Sequence, residues 1–213
     1  MTLAPDVYED AALALRLADD IADPDRGVLP AGKADLESPH GALFKDLLSE
    51  RGWNAGERFT PLRRDLAAPV DDPGVRIEVV GPDLVADRTA VQRSAFKGST
   101  FTDERWHAMA SGPLYADARC LVAYDEDAAV GTVTVWSAGP GRPGLLEPMG
   151  VHAEHRGRGH GKAVNLAAAA VLREMGASSA IVCTPSANIG GVAAYKSAGY
   201  QALPEIGDLS RGA

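Results

Sequence analysis

The chain has 213 residues, 46% hydrophobic and 23% charged, with a formal net charge of −8. That composition suits a globular protein with one substantial core, and the acidic balance argues against a nucleic-acid partner. No apolar run approaches membrane-spanning length, Met1 to Asp6 lacks the pattern of a secretory leader, and two isolated cysteines make no disulfide framework, so a reducing cytoplasm and no membrane partner are expected.

Residues 1–72 are expected to form an N-terminal extension. Within it, Leu43 to Arg51 has helical character ending at Gly52-Trp53, Phe59 to Arg64 suits a strand, and Asp65 to Gly74 is a linker. Residues 73–213 are expected to be the working domain. Val75 to Val80 alternates as a strand, Pro82 to Phe96 carries helical periodicity, and Thr102 caps a second short helix. Arg119 to Tyr124 and Ala129 to Trp136 form a hairpin across an acidic turn. A glycine- and proline-rich loop then leads into a strand from Leu145 to Val151. After it come a helix from Lys162 to Met175, a strand from Ser179 to Cys183, a helix starting at Asn188 and a last strand near Tyr200 to Leu203. Glu205 to Ala213 has little strand character, and Cys120 and Cys183, in apolar runs, are expected to be small core residues. Arginine far outnumbers lysine and alanine is abundant, which points to a high-GC bacterial source.

Chemistry enters at Val151-His-Ala-Glu-His-Arg156-Gly-Arg-Gly159-His-Gly161-Lys162, between a strand and a helix. A helix N-terminus presents backbone N–H groups without intrahelical partners, its dipole favours an anion, and glycines let the main chain curl towards the ligand. The P-loop pattern fails here, because Arg156 stands where its first glycine belongs and Ala163 where its Ser/Thr belongs. The dinucleotide fingerprint fails too, because Gly157, Gly159 and Gly161 are spaced Gly-x-Gly-x-Gly. What fits is Arg/Gln-x-x-Gly-x-Gly/Ala, from Arg156 to Gly161. His152, His155 and His160 lack recognised ligand spacing, so anion-site histidines are expected and no metal.

A second element lies 27 residues beyond Gly161: Asn188, six residues, Tyr195, three residues, Gly199-Tyr200. Asparagine suits a helix cap and Gly199 a left-handed C-terminal position. The two motifs, in this order and separation, resemble the GNAT superfamily of acetyl-CoA-dependent N-acetyltransferases, over roughly Val75 to Pro204. The resemblance implies an α+β fold in α/β/α layers. Its central sheet is mixed, mostly antiparallel, and splayed between the Glu147 strand and the Ser179 strand.

The resemblance also implies roles. Backbone N–H groups of Arg156, Gly157, Arg158, Gly159, His160, Gly161 and Lys162 would hold the coenzyme A pyrophosphate, with the Arg156, Arg158 and Lys162 side chains adding charge. Met149, Gly150 and Val151 would pair with the pantetheine arm and stabilise an oxyanion, and Asn188 would contact the arm or cap the next helix. Tyr195 would protonate the departing thiolate. Glu147 is the candidate general base, placed on the face of Val151 by the period of two along a strand. The implied function is transfer of acetyl to a primary amine of a small molecule by direct attack in a ternary complex. Alternatives are a non-catalytic acyl-CoA-binding regulatory module, or acetylation of protein N-termini or lysines; homodimerisation is open. Leu43 to Trp53 faintly repeats the helix ending at Tyr200, with Leu48 in the place of Tyr195, which leaves two readings of the extension: a degenerate first copy of the fold, as in tandem GNAT proteins, or a helical extension that packs on the enzyme domain. Phe59 to Leu66 would then complete the sheet of the second copy.

Overall fold

The computed structural model describes residues 3–37 and 42–212; Met1 and Thr2, where the leader reading begins, lie outside them, as do residues 38–41 of the extension and the terminal Ala213. In chain order the elements are α1 (Ala11–Ala22), β1 (Ala34–Leu36), α2 (Leu43–Glu50), β2 (Asn54–Asp65), β3 (Arg76–Val79), α3 (Val85–Ala95), α4 (Asp103–Ala110), β4 (Ala118–Asp125), β5 (Ala128–Ser137), β6 (Pro143–Val151), α5 (His160–Glu174), β7 (Ser179–Pro185), α6 (Ile189–Ser197), β8 (Gln201–Ala202) and β9 (Ile206–Arg211). From β3 to β8 the succession is the one expected.

Two compact units result. The first is drawn from the described residues of Met1–Thr60, Pro185–Ala187 and Pro204–Ala213, the second from Pro61–Thr184 and Asn188–Leu203. Packing rather than one boundary in sequence defines them, since β2 contributes its first half to one unit and its second half to the other.

In the first unit, Asp10 caps α1 by accepting from Leu13 N–H at 2.9 Å. Ala14, Ala18 and Ile21 recur at helical spacing and form its buried stripe. They cluster with Phe44 and Leu48 of α2, Trp53 and Leu209. The strand β9 pairs antiparallel with β1 on one side and with Asn54 to Phe59 of β2 on the other. That corrects the reading of Glu205 to Ala213 as lacking a strand. Only Leu209 of β9 is fully buried, so main-chain pairing on both edges holds it, and hydrophobic alternation gave no signal. Neither α1 nor β1 is evident in the sequence reading.

In the second unit, β3, β4, β5 and β6 pair antiparallel in succession, and β7 joins β6 in parallel. Beyond β7 lies the second half of β2, which pairs with β8 through Leu62↔Ala202 and Arg63↔Gln201. The main core sits between this sheet and α5, whose Ala167, Ala168 and Leu172 meet Val130, Val133, Val135 and Leu146. A smaller core under α3 and α4 contains Val85, Trp106, Cys120 and Val122. Cys120 is buried as expected, whereas Cys183 is exposed, because alternate residues of β7 point away from the core.

One helix ending recurs in each unit. Trp53 N–H bonds Leu48 O at 3.1 Å after α2, and Tyr200 N–H bonds Tyr195 O at 3.1 Å after α6. Gly52 and Gly199, with φ of 85° and 83°, hold the same left-handed position before the aromatic residue.

Candidate active site

All the sequence-designated site residues lie in the second unit. Pairing of β6 with β7 runs only from Pro143↔Ser179 to Leu145↔Ile181. On the other side β6 stays paired with β5 through Val133↔Met149, Thr132↔Gly150 and Gly131↔Val151. Among the described residues, the second edge of β6 from Glu147 to Val151 therefore has no strand partner. Unpaired N–H and C=O groups on such an edge can take an extended ligand as they would take another strand.

Glu147 stands where this gap opens, and its side chain is exposed. Val135 faces Leu146 while Val133 faces Met149, so β6 carries one extra residue between them. The bulge resets the alternation, and the period-two argument for a shared face of Glu147 and Val151 does not carry across it. Trp136 holds the bulged main chain, its Nε1–H donating to the Glu147 carbonyl at 2.7 Å.

Tyr195 lies on α6, 6% exposed, its ring edge-on to Tyr200 with centroids 5.7 Å apart. Burial, and after it the negative charge of Glu147, push its phenol up to about 12. The phenol therefore remains a proton donor far above neutral pH.

The glycine-rich turn has the expected form. Gly157 and Gly159 have φ of 76° and 90°, the left-handed region in which a Cβ is strained, and α5 begins at His160 with no side chain capping its N–H groups. At Gly161 a Cβ would lie 3.1 Å from that of Ala194 on α6, so glycine there permits close helix approach. Arg158 and Lys162 are exposed and, among the described residues, form no ion pair. Arg156 acts within the protein instead. Its Nη2 donates to Ala95 O at 2.7 Å and its Nε to Val151 O at 3.4 Å, tying the turn to α3 and the end of β6. His160 is buried, with Nε2 3.5 Å from an Asp125 oxygen. His155 lies between His152 and His160 in edge contacts, yet among the described residues no three His, Cys, Asp or Glu side chains converge as a metal site.

Asn188 caps α6, accepting from Gly191 N–H at 3.0 Å while its amide donates to Thr184 Oγ1 at 3.3 Å. Of the two roles considered for it, this is the one its bonds display. Gly150 is fully buried, and a Cβ there would lie 2.6 Å from the Ala95 Cβ, so α3 is seated directly on β6.

The model of the acetyltransferase (GNAT) family matches residues 87–200, more than half of the chain. The chain belongs to the GNAT family. No curated protein shows significant similarity to this GNAT chain. Among solved structures, a GCN5-related N-acetyltransferase from Sphaerobacter thermophilus is similar at 19% identity and a TM-score of 0.70, covering 97% of this chain and 70% of that one. A GNAT-family acetyltransferase from Colwellia psychrerythraea is similar at 14% identity and a TM-score of 0.67, covering 100% and 76%. A tandem GNAT protein from the clavulanic acid biosynthesis pathway is similar at 20% identity and a TM-score of 0.58, covering 86% and 61%. These likenesses bear on the fold, which is the mixed, mostly antiparallel, splayed GNAT fold with flanking helices. Family membership implies acyltransferase activity.

Sequence reasoning did not single out Trp136 or Arg88. The indole of Trp136 follows an alternating strand and gives no sign of its bond to Glu147. Arg88 lies in the helical run Pro82 to Phe96 as an ordinary arginine, but only 1% of it is exposed. A single charge at a position that helical periodicity turns inward was the available signal.

Proposed function

We propose that this GNAT protein is an acetyl-CoA-dependent N-acetyltransferase acting on a primary amine of a small molecule by direct attack. The observation that carries the reading is the unpaired edge of β6 from Glu147 to Val151, which leads into the uncapped glycine-rich start of α5. The residues present suit acetyl-CoA. Uncapped N–H groups of His160, Gly161 and Lys162, with the exposed Arg158 and Lys162 side chains, would hold the diphosphate, and the Met149 to Val151 edge would hold the pantetheine arm. Acetyl-CoA supplies an activated thioester.

The chain's own groups would do the rest. An aliphatic amine with a solution pKa of about 10 is mostly protonated at neutral pH, and Glu147 would take its proton directly or through water. A main-chain N–H on the free edge would stabilise negative charge developing on the carbonyl oxygen. Tyr195 would give its hydroxyl proton to the leaving sulfur, a role suited to a phenol held neutral. Holding both reactants in one cleft supplies much of the acceleration, and no covalent enzyme adduct is required.

The first unit is read as a shortened copy of the same fold without a working site. Its support is the helix ending that matches α6 bond for bond, with Leu48 where Tyr195 supplies a hydroxyl.

Release of free coenzyme A across an amine panel tests the main reading, with Tyr195→Phe and Glu147→Gln beside the wild type. Each variant is expected to lose on the order of 10²-fold or more in kcat while still binding acetyl-CoA. Unchanged turnover in both would remove the assigned roles.

A further inference from the structure

Under α3 and α4 the second unit buries a cation without a counter-ion. Arg88, on the inward face of α3, is 1% exposed, and among the described residues no carboxylate lies within ion-pair distance of it. Its Nε donates to Cys120 Sγ at 3.3 Å, and a thiol is a weak acceptor. Its guanidinium carbon lies 4.3 Å from the centre of the Phe101 ring. Its Nη1 is buried with no hydrogen-bond partner among the described residues. Guanidinium does not give up its proton in proteins, so neutralisation cannot relieve this burial.

A second unused donor belongs to the same cluster. Trp106 of α4 is 4% exposed, and its Nε1 is buried with no partner. The Trp106 ring meets Tyr115 edge-on at 6.0 Å, and Tyr115 meets Trp136 in the same way at 6.3 Å. Burial pushes the Tyr115 phenol up to about 12, so it too remains a neutral donor. Native interiors pair nearly all their buried donors, so two unpaired ones in one aromatic cluster are candidates for an acceptor brought by a ligand.

The place in the fold says which reactant brings it. Trp136 pairs with Leu145 and Ala118, at the end of the sheet where β6 is still paired to β7. The glycine-rich turn lies past Val151, at the opposite end of β6, and Glu147 stands between the two. A group bound at the aromatic end is therefore attached to the acceptor. Tyr115, half-buried on the exposed turn Pro113–Asp117, is the member of this cluster nearest solvent along the chain.

We propose that Arg88 and Trp106 form a subsite for a carboxylate carried by the acceptor amine, making this enzyme selective for amino acids in the broad sense, including those whose amine and acid lie several bonds apart. The Arg88 guanidinium, with Nη1 unpaired, and the Trp106 indole N–H, which shares the Cys120 cluster with it, are donors suited to carboxylate oxygens, and charge-assisted bonds in a desolvated site are the strong ones. The proposal rests on the acetyltransferase reading for the identity of the acceptor.

The test compares acids with their carboxamides, from glycine through 6-aminohexanoate, using acetyl-CoA and the full chain. The wild type is expected to favour the best acid over its amide by at least about tenfold in kcat/KM. Arg88→Met should bring that ratio near unity and Arg88→Lys should restore part of it. Trp106→Phe, which keeps the ring and removes the donor, should reduce it. A ratio is used because partial unfolding lowers both rates together. In parallel, the wild type saturated with coenzyme A is titrated calorimetrically with 6-aminohexanoate and its amide, and Arg88→Met and Trp106→Phe likewise. Binding of the acid alone, lost in the variants, supports the subsite even if no amine is acetylated, in which case the acetyltransferase reading fails by itself. Equal handling of acid and amide, an unchanged ratio in both variants, or no binding of either probe together with no acid preference would overturn the subsite.

Discussion

The indole N–H of Trp136 reaches from β5 to the carbonyl of Glu147 on β6, 2.7 Å away, where the ladder between the strands is broken by an extra residue. The bulge interrupts the ladder there, and the indole N–H supplies the Glu147 carbonyl with a side-chain donor. Trp136→Phe keeps the ring and removes the donor. The expected outcome is a fall in kcat of about tenfold, the kinetic equivalent of one lost bond, with the KM for acetyl-CoA unchanged. Steady-state kinetics with either substrate varied checks it.

Two glycines should separate packing from ligand binding. Gly150→Ala places a methyl group 2.6 Å from the Ala95 Cβ and should destabilise the fold by about 1–3 kcal/mol, read from urea midpoints. Gly159→Val strains a residue at φ 90° in the turn itself and should weaken coenzyme A binding in calorimetry by about tenfold or more.

Asn188→Ala removes the cap of α6, and both polar ends of that side chain are already engaged within the protein. Stability should fall by about 1 kcal/mol, while the Kd for coenzyme A should stay within about twofold of the wild type. A large loss of affinity with little loss of stability would instead place Asn188 on the ligand.

Alkaline stability follows from the buried phenols. Burial raises Tyr195 to about 12 and Tyr200 further still, whereas both titrate near 10 in the unfolded chain. Below that value both states keep their protons and these groups impose no pH dependence. Above it the unfolded chain loses protons that the folded one retains, so stability falls by about 1.4 kcal/mol per pH unit for each phenol until its folded value is reached. Denaturant unfolding between about pH 9 and 11 should show this decline, and Tyr200→Phe should remove one phenol's share of it.

The turn from Arg156 to Gly161 and the Asn188 to Tyr200 pattern were legible because backbone demands were written into residue type. Left-handed positions took glycine at 157, 159 and 199, and an exposed helix start took asparagine at 188. Periodicity likewise exposed α3, α5 and the β4–β5 hairpin. It said nothing of β9, where Leu209 alone is fully buried and pairing on both edges does the work. It does not reach from Val151 back to Glu147, because a bulge is an event in the pairing of two strands and leaves no mark in the alternation of one.

Residue order by itself determined the family, the succession of elements from β3 to β8 and the glycine-rich turn, since each depends on local conformational preference over a few positions. Only the tertiary structure decided which strands fill the edges, that the charge of Glu147 bears on the Tyr195 phenol, and that among the described residues Arg88 is enclosed without a carboxylate. Those facts depend on distances between segments far apart in the chain, and local spacing carries no measure of such distances.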